Sequence, residues 1–344
     1  MHTLFTLPQA REFSDTLQLH EQIVELQQRA RSSRGSMVWM MARGQEYLHR
    51  SSYDDYGRRV QTTLGPRSPE TESIRENFLK ARTDVKSRLK QIEKNMAMQA
   101  ATSVARGIAR LPLESANIIR AFENAGIGAA RLKVVGTHAL YAYEAMAAST
   151  FESGLTSTQD IDFLLDPRAA LRFVASDELK EETLLGVLQS TDKTFEVTNQ
   201  PYRARNKGGF LVDIIKPERA TPWKREAFET TTADIQPSPI DGLVWLENAQ
   251  AFEQKVIDKK GYPLVMNVPD PRVFAIHKFW LSSRQGRAAD KAVRDRAQAF
   301  AVANLVMSEL KHLPFDGRRL RMLPREVVSE AIAAFKAIKP KPEA

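Results

Sequence analysis

The chain has 344 residues, contains no cysteine and carries a formal net charge of +8. Its length is sufficient for two or three domains, and the lack of cysteine excludes a disulfide framework and a zinc–thiolate site. No apolar run approaches the roughly 18 residues of a membrane span, and the N-terminal segment has neither the basic start nor the apolar stretch of a signal peptide. We therefore expect a soluble, cytoplasmic protein with no membrane partner.

The charge is unevenly distributed along the chain. Residues 1–120 hold 19 Lys and Arg against 13 Asp and Glu, residues 121–271 hold 16 against 22, and residues 272–344 hold 15 against 7. An acidic middle between basic segments is typical of a metal-binding centre with anion-binding surroundings. An ordinary solvated surface also explains this asymmetry, so the charge alone does not choose between the two.

The first part of the chain predicts a helix followed by a small antiparallel sheet. The helix runs from about Ser14 to residues 32–35, and residues 37–48 form a hairpin that turns at residues 43–44, since glycine accepts the positive φ of a tight turn. A third strand covers residues 58–64. Arginine and aromatic residues are frequent in this unit, as in surfaces that bind nucleic acid, although a small sheet with a wet face has the same composition.

A long helix is predicted to begin after Ser68. The serine is a good N-cap, and the proline and glutamates that follow it suit the first turn of a helix. Apolar side chains recur at helical spacing from Ile74 to Met96, which gives one apolar stripe. We expect this helix to pack lengthwise against a neighbouring helix.

Two consecutive motifs concentrate the chemistry of the chain. Residues 132–135 predict a buried strand that runs through Gly136 and Thr137 into a helix, and a later strand carries Asp160 and Asp162 on one face. Two adjacent carboxylates repel each other unless a cation lies between them. A glycine turn at a helix start, opposite such a pair, can hold a nucleotide phosphate and its Mg²⁺.

A third carboxylate, Asp213, lies within an apolar strand over residues 210–215. A charge is costly to bury there unless it is paired or bound to a cation. Taken alone, an exposed edge position or a pair with an arginine explains this residue as well. Beside Asp160 and Asp162, it predicts three carboxylates that share two divalent ions.

The rest of the central region predicts short, alternating helices and strands. An irregular segment covers residues 217–242. We expect helices at 114–125, 168–176 and 178–189, a polar loop at 149–158, strands at 195–197 and 204–206 before a turn at 207–209, and strands at 242–246, 252–257 and 262–266 that extend the sheet.

Helices predominate after residue 269, with one predicted over residues 272–283 and one over about 288–313. A basic face on the second helix can contact a triphosphate or an RNA backbone, or it is a solvated face with local pairs such as Asp290 with Arg294. The face consists of Arg287, Lys291, Arg294 and Gln298.

Two of the six histidines lie near these motifs. His138 directly follows the glycine turn, where it can donate a hydrogen bond to a phosphate. His277 lies in an apolar helix, and this position favours a hydrogen-bonded core residue over a catalytic one.

The ordered set of Gly136-Thr137, Asp160-Ile161-Asp162 and Asp213 resembles the core of the DNA polymerase beta-like nucleotidyltransferase superfamily. The wider sequence looks like a bacterial family within it, called nucleotidyltransferase family 8. Thr137 stands where the superfamily usually has serine or glycine, and the interval between Thr137 and Asp160 is longer than usual. The matching segments, within residues 36–312, are residues 43–48, 64–72, 135–144 and 269–278.

We therefore predict an α+β fold with a polymerase beta-like nucleotidyltransferase core, in which helices flank a mixed sheet. The core covers residues 113–268. An N-terminal region of a helix, a hairpin and a long helix precedes it over residues 1–112, and a C-terminal helical region follows it over residues 269–344.

The resemblance also implies roles for individual residues. Asp160, Asp162 and Asp213 are the catalytic residues and bind two Mg²⁺ ions, and Asp213 also helps to deprotonate the acceptor. Gly136 and Thr137 hold the β- and γ-phosphates of an NTP. The basic candidates for triphosphate binding, one of them oriented by Asp295, are Lys278, Arg284, Arg287, Lys291 and Arg294.

The predicted activity is that of an ATP- or other NTP-dependent nucleotidyltransferase (EC 2.7.7 type). It transfers a nucleoside monophosphate to a hydroxyl of RNA (tRNA included), protein or a small molecule, with release of pyrophosphate. The alternatives are a non-catalytic nucleotide- or nucleic-acid-binding module that retains the fold, and a structural protein whose three aspartates are incidental.

Overall fold

The computed structural model describes residues 2–53, 58–128, 131–166, 183–218 and 234–337. The helix predicted over residues 168–176 and the first part of the one predicted over residues 178–189 lie outside these ranges.

The N-terminal region combines two long helices with four strands. β2, β3 and β4 form an antiparallel sheet in that order, and Arg43 and Gly44 both have positive φ, which confirms the predicted hairpin, its turn and the third strand. In chain order the elements are β1 (His2–Leu4), α1 (Leu7–Ser32), β2 (Ser36–Ala42), β3 (Gln45–Tyr53), β4 (Arg59–Pro66) and α2 (Pro69–Ala105).

Capping side chains set the start of both long helices. Ser68 caps α2 as predicted, whereas α1 begins at Leu7 rather than near Ser14 because Thr6 and Gln9 form a capping box. α1 packs against the C-terminal half of α2 through a small apolar cluster that is separate from the main core. This confirms the expected packing for that half only, since Ile74 at the start of the predicted stripe is exposed.

The central region contains most of the strands. A 3₁₀ turn, Gly136–His138, joins β5 to α4. In chain order the elements are α3 (Leu113–Asn124), β5 (Leu132–Val135), α4 (Ala139–Met146), β6 (Ser149–Phe151), α5 (Ser153–Thr156), β7 (Asp160–Leu165), α6 (Leu184–Thr191), β8 (Glu196–Val197), β9 (Arg203–Arg205), β10 (Leu211–Pro217), β11 (Ser238–Ile240), α7 (Leu243–Asn248), β12 (Ala251–Ile257) and β13 (Pro263–Pro269).

Among the described residues, six strands form the central sheet, in the order β5–β7–β10–β9–β8, with β11 beside the end of β10. β10 runs parallel to β7 and β11, and the other pairs are antiparallel. This mixed sheet with helices around it confirms the predicted α+β fold class.

Three predictions in the central region were wrong. The expected polar loop over 149–158 contains β6, which pairs with the N-terminal β1, and α5. The segment predicted as a strand over 242–246 starts helix α7, because Leu243 and Leu246 are buried at helical spacing. β12 and β13 are strands as expected, but they pair with each other in a separate hairpin and do not extend the sheet.

The C-terminal region supplies the helices α8 (Pro271–Ser282), α9 (Ala289–Ser308) and α10 (Arg325–Lys336). α9 ends earlier than the predicted residue 313. One hydrophobic cluster extends from Leu111 to Phe335, so these helices share the core of the central sheet. Among the helices that the structure describes, none is both long and apolar enough to cross a lipid bilayer.

Candidate active site

The sheet brings the three predicted aspartates to adjacent positions. Asp160 and Asp162 project from one face of β7, while Ile161 and Phe163 are buried on the other. In the parallel pairing of β7 with β10, Asp162 lies directly opposite Asp213. The three carboxylates therefore converge, although they come from two separate parts of the chain.

Gly136 lies beside this cluster, at the end of β5. Val135 pairs with Asp162 across the antiparallel β5 and β7, so the chain leaves the sheet next to the aspartates. Gly136 has a φ of 64°, and a Cβ atom added to it would lie 2.1 Å from Oδ2 of Asp162. Only glycine combines this backbone conformation with so close an approach to the carboxylate.

Burial and negative charge together set the electrostatics of the cluster. Burial raises the pKa of Asp162 to about 7, and the charges of Asp160 and Asp213 act in the same direction. Lys278 and Arg203 lower this pKa without cancelling the shift. Asp160 also accepts a hydrogen bond from the hydroxyl of Thr158. A further cation would relieve the repulsion that remains.

We expect Asp162→Asn to stabilise the metal-free protein by about 1–2 kcal/mol at about pH 8 and to lose this advantage towards about pH 4. The pKa of Asp162 is near 7 in the folded protein, which is above its value in the unfolded chain. Ionisation of Asp162 therefore destabilises the wild-type fold increasingly as the pH rises from the unfolded pKa to the folded pKa. Partial solvent exposure screens the charge, which makes the effect smaller than the full shift. Urea denaturation in EDTA at several pH values measures it. Destabilisation at alkaline pH would contradict the prediction.

Arg203 is a site residue that the sequence analysis did not identify. It lies opposite Asp213 in the antiparallel β9–β10 pair. Its Nε donates to Oδ1 of Asp213 at 2.7 Å and its Nη2 to Oδ2 at 2.6 Å. An arginine thus compensates the burial of Asp213. A pair with an arginine was one of the alternatives that the sequence left open for this residue.

The oxygen ligands of the cluster are suited to a hard divalent cation. Carboxylate oxygens are the ligands that Mg²⁺ prefers, and Asp160 and Asp162 supply them on one face. Both oxygens of Asp213 are bound to Arg203. Within the described ranges no three His, Asp or Glu side chains are arranged to hold a metal ion. The Asp160–Asp162 pair therefore fits a cation directly, whereas Asp213 fits it only after leaving Arg203.

Thr137 is buried in the 3₁₀ turn, and its position depends on a distant helix. Its Oγ1 accepts a hydrogen bond at 3.1 Å from Nε2 of Gln298, which also donates to the carbonyl oxygen of Leu155. Gln298 is fully buried. The glutamine, predicted as part of a basic face, instead ties the turn and α5 to α9.

Lys278 and Arg287 share one carboxylate. Nζ of Lys278 lies 2.6 Å from Oδ1 of Asp295, and Nη2 of Arg287 lies 2.5 Å from Oδ2. Lys278 and Asp295 are buried, and Lys278 is close enough to lower the pKa of Asp162. The prediction that Asp295 orients a basic residue is confirmed, since it holds two.

Asp295→Asn should destabilise the protein by about 2 kcal/mol, because the amide leaves the buried ammonium of Lys278 without a charged partner. The free energy of unfolding from urea titrations measures the loss. The matched control is Asp290→Asn, which makes the same change at an exposed position in the first turn of α9 and should cost at most about 0.5 kcal/mol. Equal losses in the two variants would contradict a buried ion pair.

The other three basic candidates lie apart from this network. Nη1 of Arg284 pairs with the exposed Asp241 at 2.5 Å, and its guanidinium stacks on Trp280. Lys291 is exposed and Arg294 is half-buried. Neither forms an ion pair with the described residues, so the alternative pair of Asp290 with Arg294 is not formed. Of the predicted basic face, Arg287 is therefore paired with Asp295, whereas Lys291 and Arg294 have no ion-pair partner among the described residues.

Both histidines belong to the core. Nε2 of His138 lies 2.6 Å from the hydroxyl of Ser115, and burial lowers its pKa to about 4, so it is neutral near pH 7. The hypothesis that His138 donates a hydrogen bond to a phosphate stays a prediction. His277 is buried in the core as expected, but its Nε2 has no hydrogen-bond partner among the described residues. The ring packs against Trp245 and Trp280, and burial lowers its pKa to about 3.

A comparison with known proteins gives one family. A family model described as nucleotidyltransferase matches residues 114–323, which is more than half of the chain and includes all three aspartates, Gly136 and the Lys278–Asp295 pair. No curated protein and no solved structure matches the chain. The extent of the match shows that the chain belongs to this nucleotidyltransferase family.

Proposed function

We propose that the protein is a Mg²⁺-dependent nucleotidyltransferase that transfers a nucleoside monophosphate from an NTP to an acceptor hydroxyl and releases pyrophosphate. The observation that carries this proposal is the convergence of three carboxylates beside the Gly136 turn, with Asp162 opposite Asp213. Membership of a nucleotidyltransferase family supports the transfer chemistry.

In this proposal the side chains divide the work of binding and proton transfer. Asp160 and Asp162 hold Mg²⁺, and Asp213 joins them. Bound Mg²⁺ supplies neutralisation of the triphosphate charge and a lowered pKa of the acceptor hydroxyl. The backbone N–H groups of Gly136 and Thr137 hold the β- and γ-phosphates. The cationic Lys278, held by Asp295, adds positive charge on the side of Asp162.

The reaction exchanges one phosphorus–oxygen bond for another. The acceptor oxygen bonds to the α-phosphorus, and the bond from that phosphorus to the oxygen bridging to the β-phosphate breaks, so pyrophosphate leaves. The proton of the acceptor hydroxyl passes to the carboxylate of Asp213. We propose ATP as the first nucleotide to test. The basic N- and C-terminal regions favour RNA or protein over a small molecule as the acceptor.

A labelling experiment tests the proposal. The protein is incubated with Mg²⁺, total RNA or cell lysate, and each NTP labelled either at the α- or at the γ-phosphate. We expect label to reach a macromolecule from the α-position alone, and its sensitivity to ribonuclease or protease then identifies the acceptor. Transfer from the γ-position would indicate phosphoryl transfer instead, and no transfer from any NTP would count against a transferase.

One observation favours a second candidate, a non-catalytic nucleotide- or nucleic-acid-binding module. Arg203 occupies both oxygens of the third carboxylate, and an arginine that stayed there would leave the site without its full set of metal ligands. Such a module would bind NTP or RNA without forming any labelled product. In the presence of Mg²⁺, the Asp213→Asn substitution would leave the nucleotide affinity of such a module unchanged. The same substitution would weaken nucleotide binding by a transferase.

A further inference from the structure

Arg203 and Asp213 form the most complete ion pair beside the aspartate cluster. Two parallel hydrogen bonds of 2.7 and 2.6 Å join the guanidinium to the carboxylate. Asp213 is only 6% exposed, and the side chain of Arg203 is 26% exposed. The pair is set by the register of β9 and β10, in which the two residues face each other directly. It is therefore a built feature of the hairpin and not a loose surface contact.

The same guanidinium is also close to the rest of the cluster. Arg203 interacts electrostatically with Asp160 and with Asp162, so it serves as a counter-ion to all three carboxylates. Two residues further along the same strand, Arg205 differs sharply. It lies 3.8 Å from the exposed Glu196 and is itself 55% exposed. Of these two arginines, only Arg203 occupies the position that a cation would take beside Asp213.

A bidentate arginine and a divalent cation compete for the same lone pairs. Mg²⁺ and Mn²⁺ bind carboxylate oxygens at about 2.1 Å in a nearly octahedral arrangement, which leaves no room for a fork of two N–H donors on the same oxygens. A positive guanidinium beside the site also repels an incoming divalent cation. Binding of Asp213 by the Arg203 guanidinium therefore disfavours binding of a divalent cation to the same carboxylate, and the reverse also holds.

We propose that Arg203 is the resident counter-ion of this site: it binds Asp213 in the metal-free protein and must release it before the carboxylate can bind a divalent cation. The inference rests on the proposed metal-binding role of the three aspartates. Arg203 is thus a positioning residue that acts through Asp213. Because its side chain is partly exposed, it can turn towards solvent or towards an anionic phosphate when the cation enters.

Direct metal binding tests this proposal without any need for turnover. The affinity for Mn²⁺ is measured by electron paramagnetic resonance or calorimetry, without nucleotide, in the wild-type protein and in three variants. Arg203→Gln should bind Mn²⁺ about tenfold more tightly, because it removes the competing charged hydrogen bonds. Arg203→Lys should be intermediate, since an ammonium keeps the charge but not the fork. Arg205→Gln, which removes the same charge nearby, should resemble the wild type.

Each outcome decides the question. Unchanged or weaker Mn²⁺ binding by Arg203→Gln, with the wild type still able to transfer NMP, overturns the counter-ion role and leaves the proposed function standing. An equal increase in the Mn²⁺ affinity of Arg205→Gln also overturns the counter-ion role, because the effect would then come from the loss of any nearby positive charge. No Mn²⁺ binding by any variant overturns both this inference and the metal site. If Arg203→Gln does not fold, judged by circular dichroism, Arg203→Lys must still bind Mn²⁺ more tightly than the wild type.

Discussion

Asp162→Asn is expected to lower the rate of NMP transfer at least about 1,000-fold, which corresponds to about 4 kcal/mol of transition-state stabilisation. Asp162 lies at the centre of the cluster, two residues from Asp160, opposite Asp213 and in contact range of Gly136. An amide keeps the shape of the side chain but removes the charge that a divalent cation requires. Transfer of α-labelled nucleotide under single-turnover conditions measures the loss.

The stability of the same variant separates lost chemistry from lost structure. Asp162→Asn should be at least as stable as the wild type in EDTA at alkaline pH, because it relieves the repulsion within the cluster. The matched control is Asp84→Asn, the same change at an exposed position of α2, which should retain full activity. A variant that kept more than about a tenth of the wild-type rate would contradict the metal-binding role of Asp162.

Gly136→Ala is expected to destabilise the protein by about 2–3 kcal/mol and to lower transfer about 100-fold. Alanine is strained at a φ of 64°, and its Cβ would lie 2.1 Å from Oδ2 of Asp162, so the carboxylate must move. The substitution therefore damages the turn and displaces a catalytic side chain at once. Urea denaturation and the α-label assay measure the two effects.

Gly154→Ala is the matched control for this prediction. Gly154 lies in α5, and a Cβ there would meet no atom within 4 Å. This substitution should leave activity unchanged and stability within about 0.5 kcal/mol. If Gly136→Ala were as well tolerated as Gly154→Ala, the close approach of the turn to Asp162 would have no role in the function.

The elements around the site were predictable because their signals are local. Period-two alternation identified β7, the apolar run around Asp213 identified β10, the capping serine identified α2, and the glycine after β5 identified the turn. The same local patterns misled where a partner lies far away in the chain. β6 was assigned to a loop because its serine and threonine look polar, and it is a strand because the N-terminal β1 pairs with it.

Two residues of the site escaped the sequence analysis for different reasons. Arg203 could have been predicted from the hairpin register. A turn at residues 207–209 places Asn206 opposite Phe210, and the same antiparallel register then places Arg203 opposite Asp213. Gln298 was not, because its helical face reads as polar and exposed. Only the packing of α9 against the turn shows that its amide is buried on Thr137.

The amino-acid sequence was enough to place Asp160 and Asp162 on one face of a strand, to put Gly136 at a turn into a helix and to mark Asp213 as a charge within an apolar strand. Such features depend on dihedral preferences and side-chain periodicity over a few residues. Tertiary structure alone decided that Asp162 lies opposite Asp213 and that Arg203 covers the latter. The register between strands depends on which faces both partners bury, and no stretch of chain carries that information by itself.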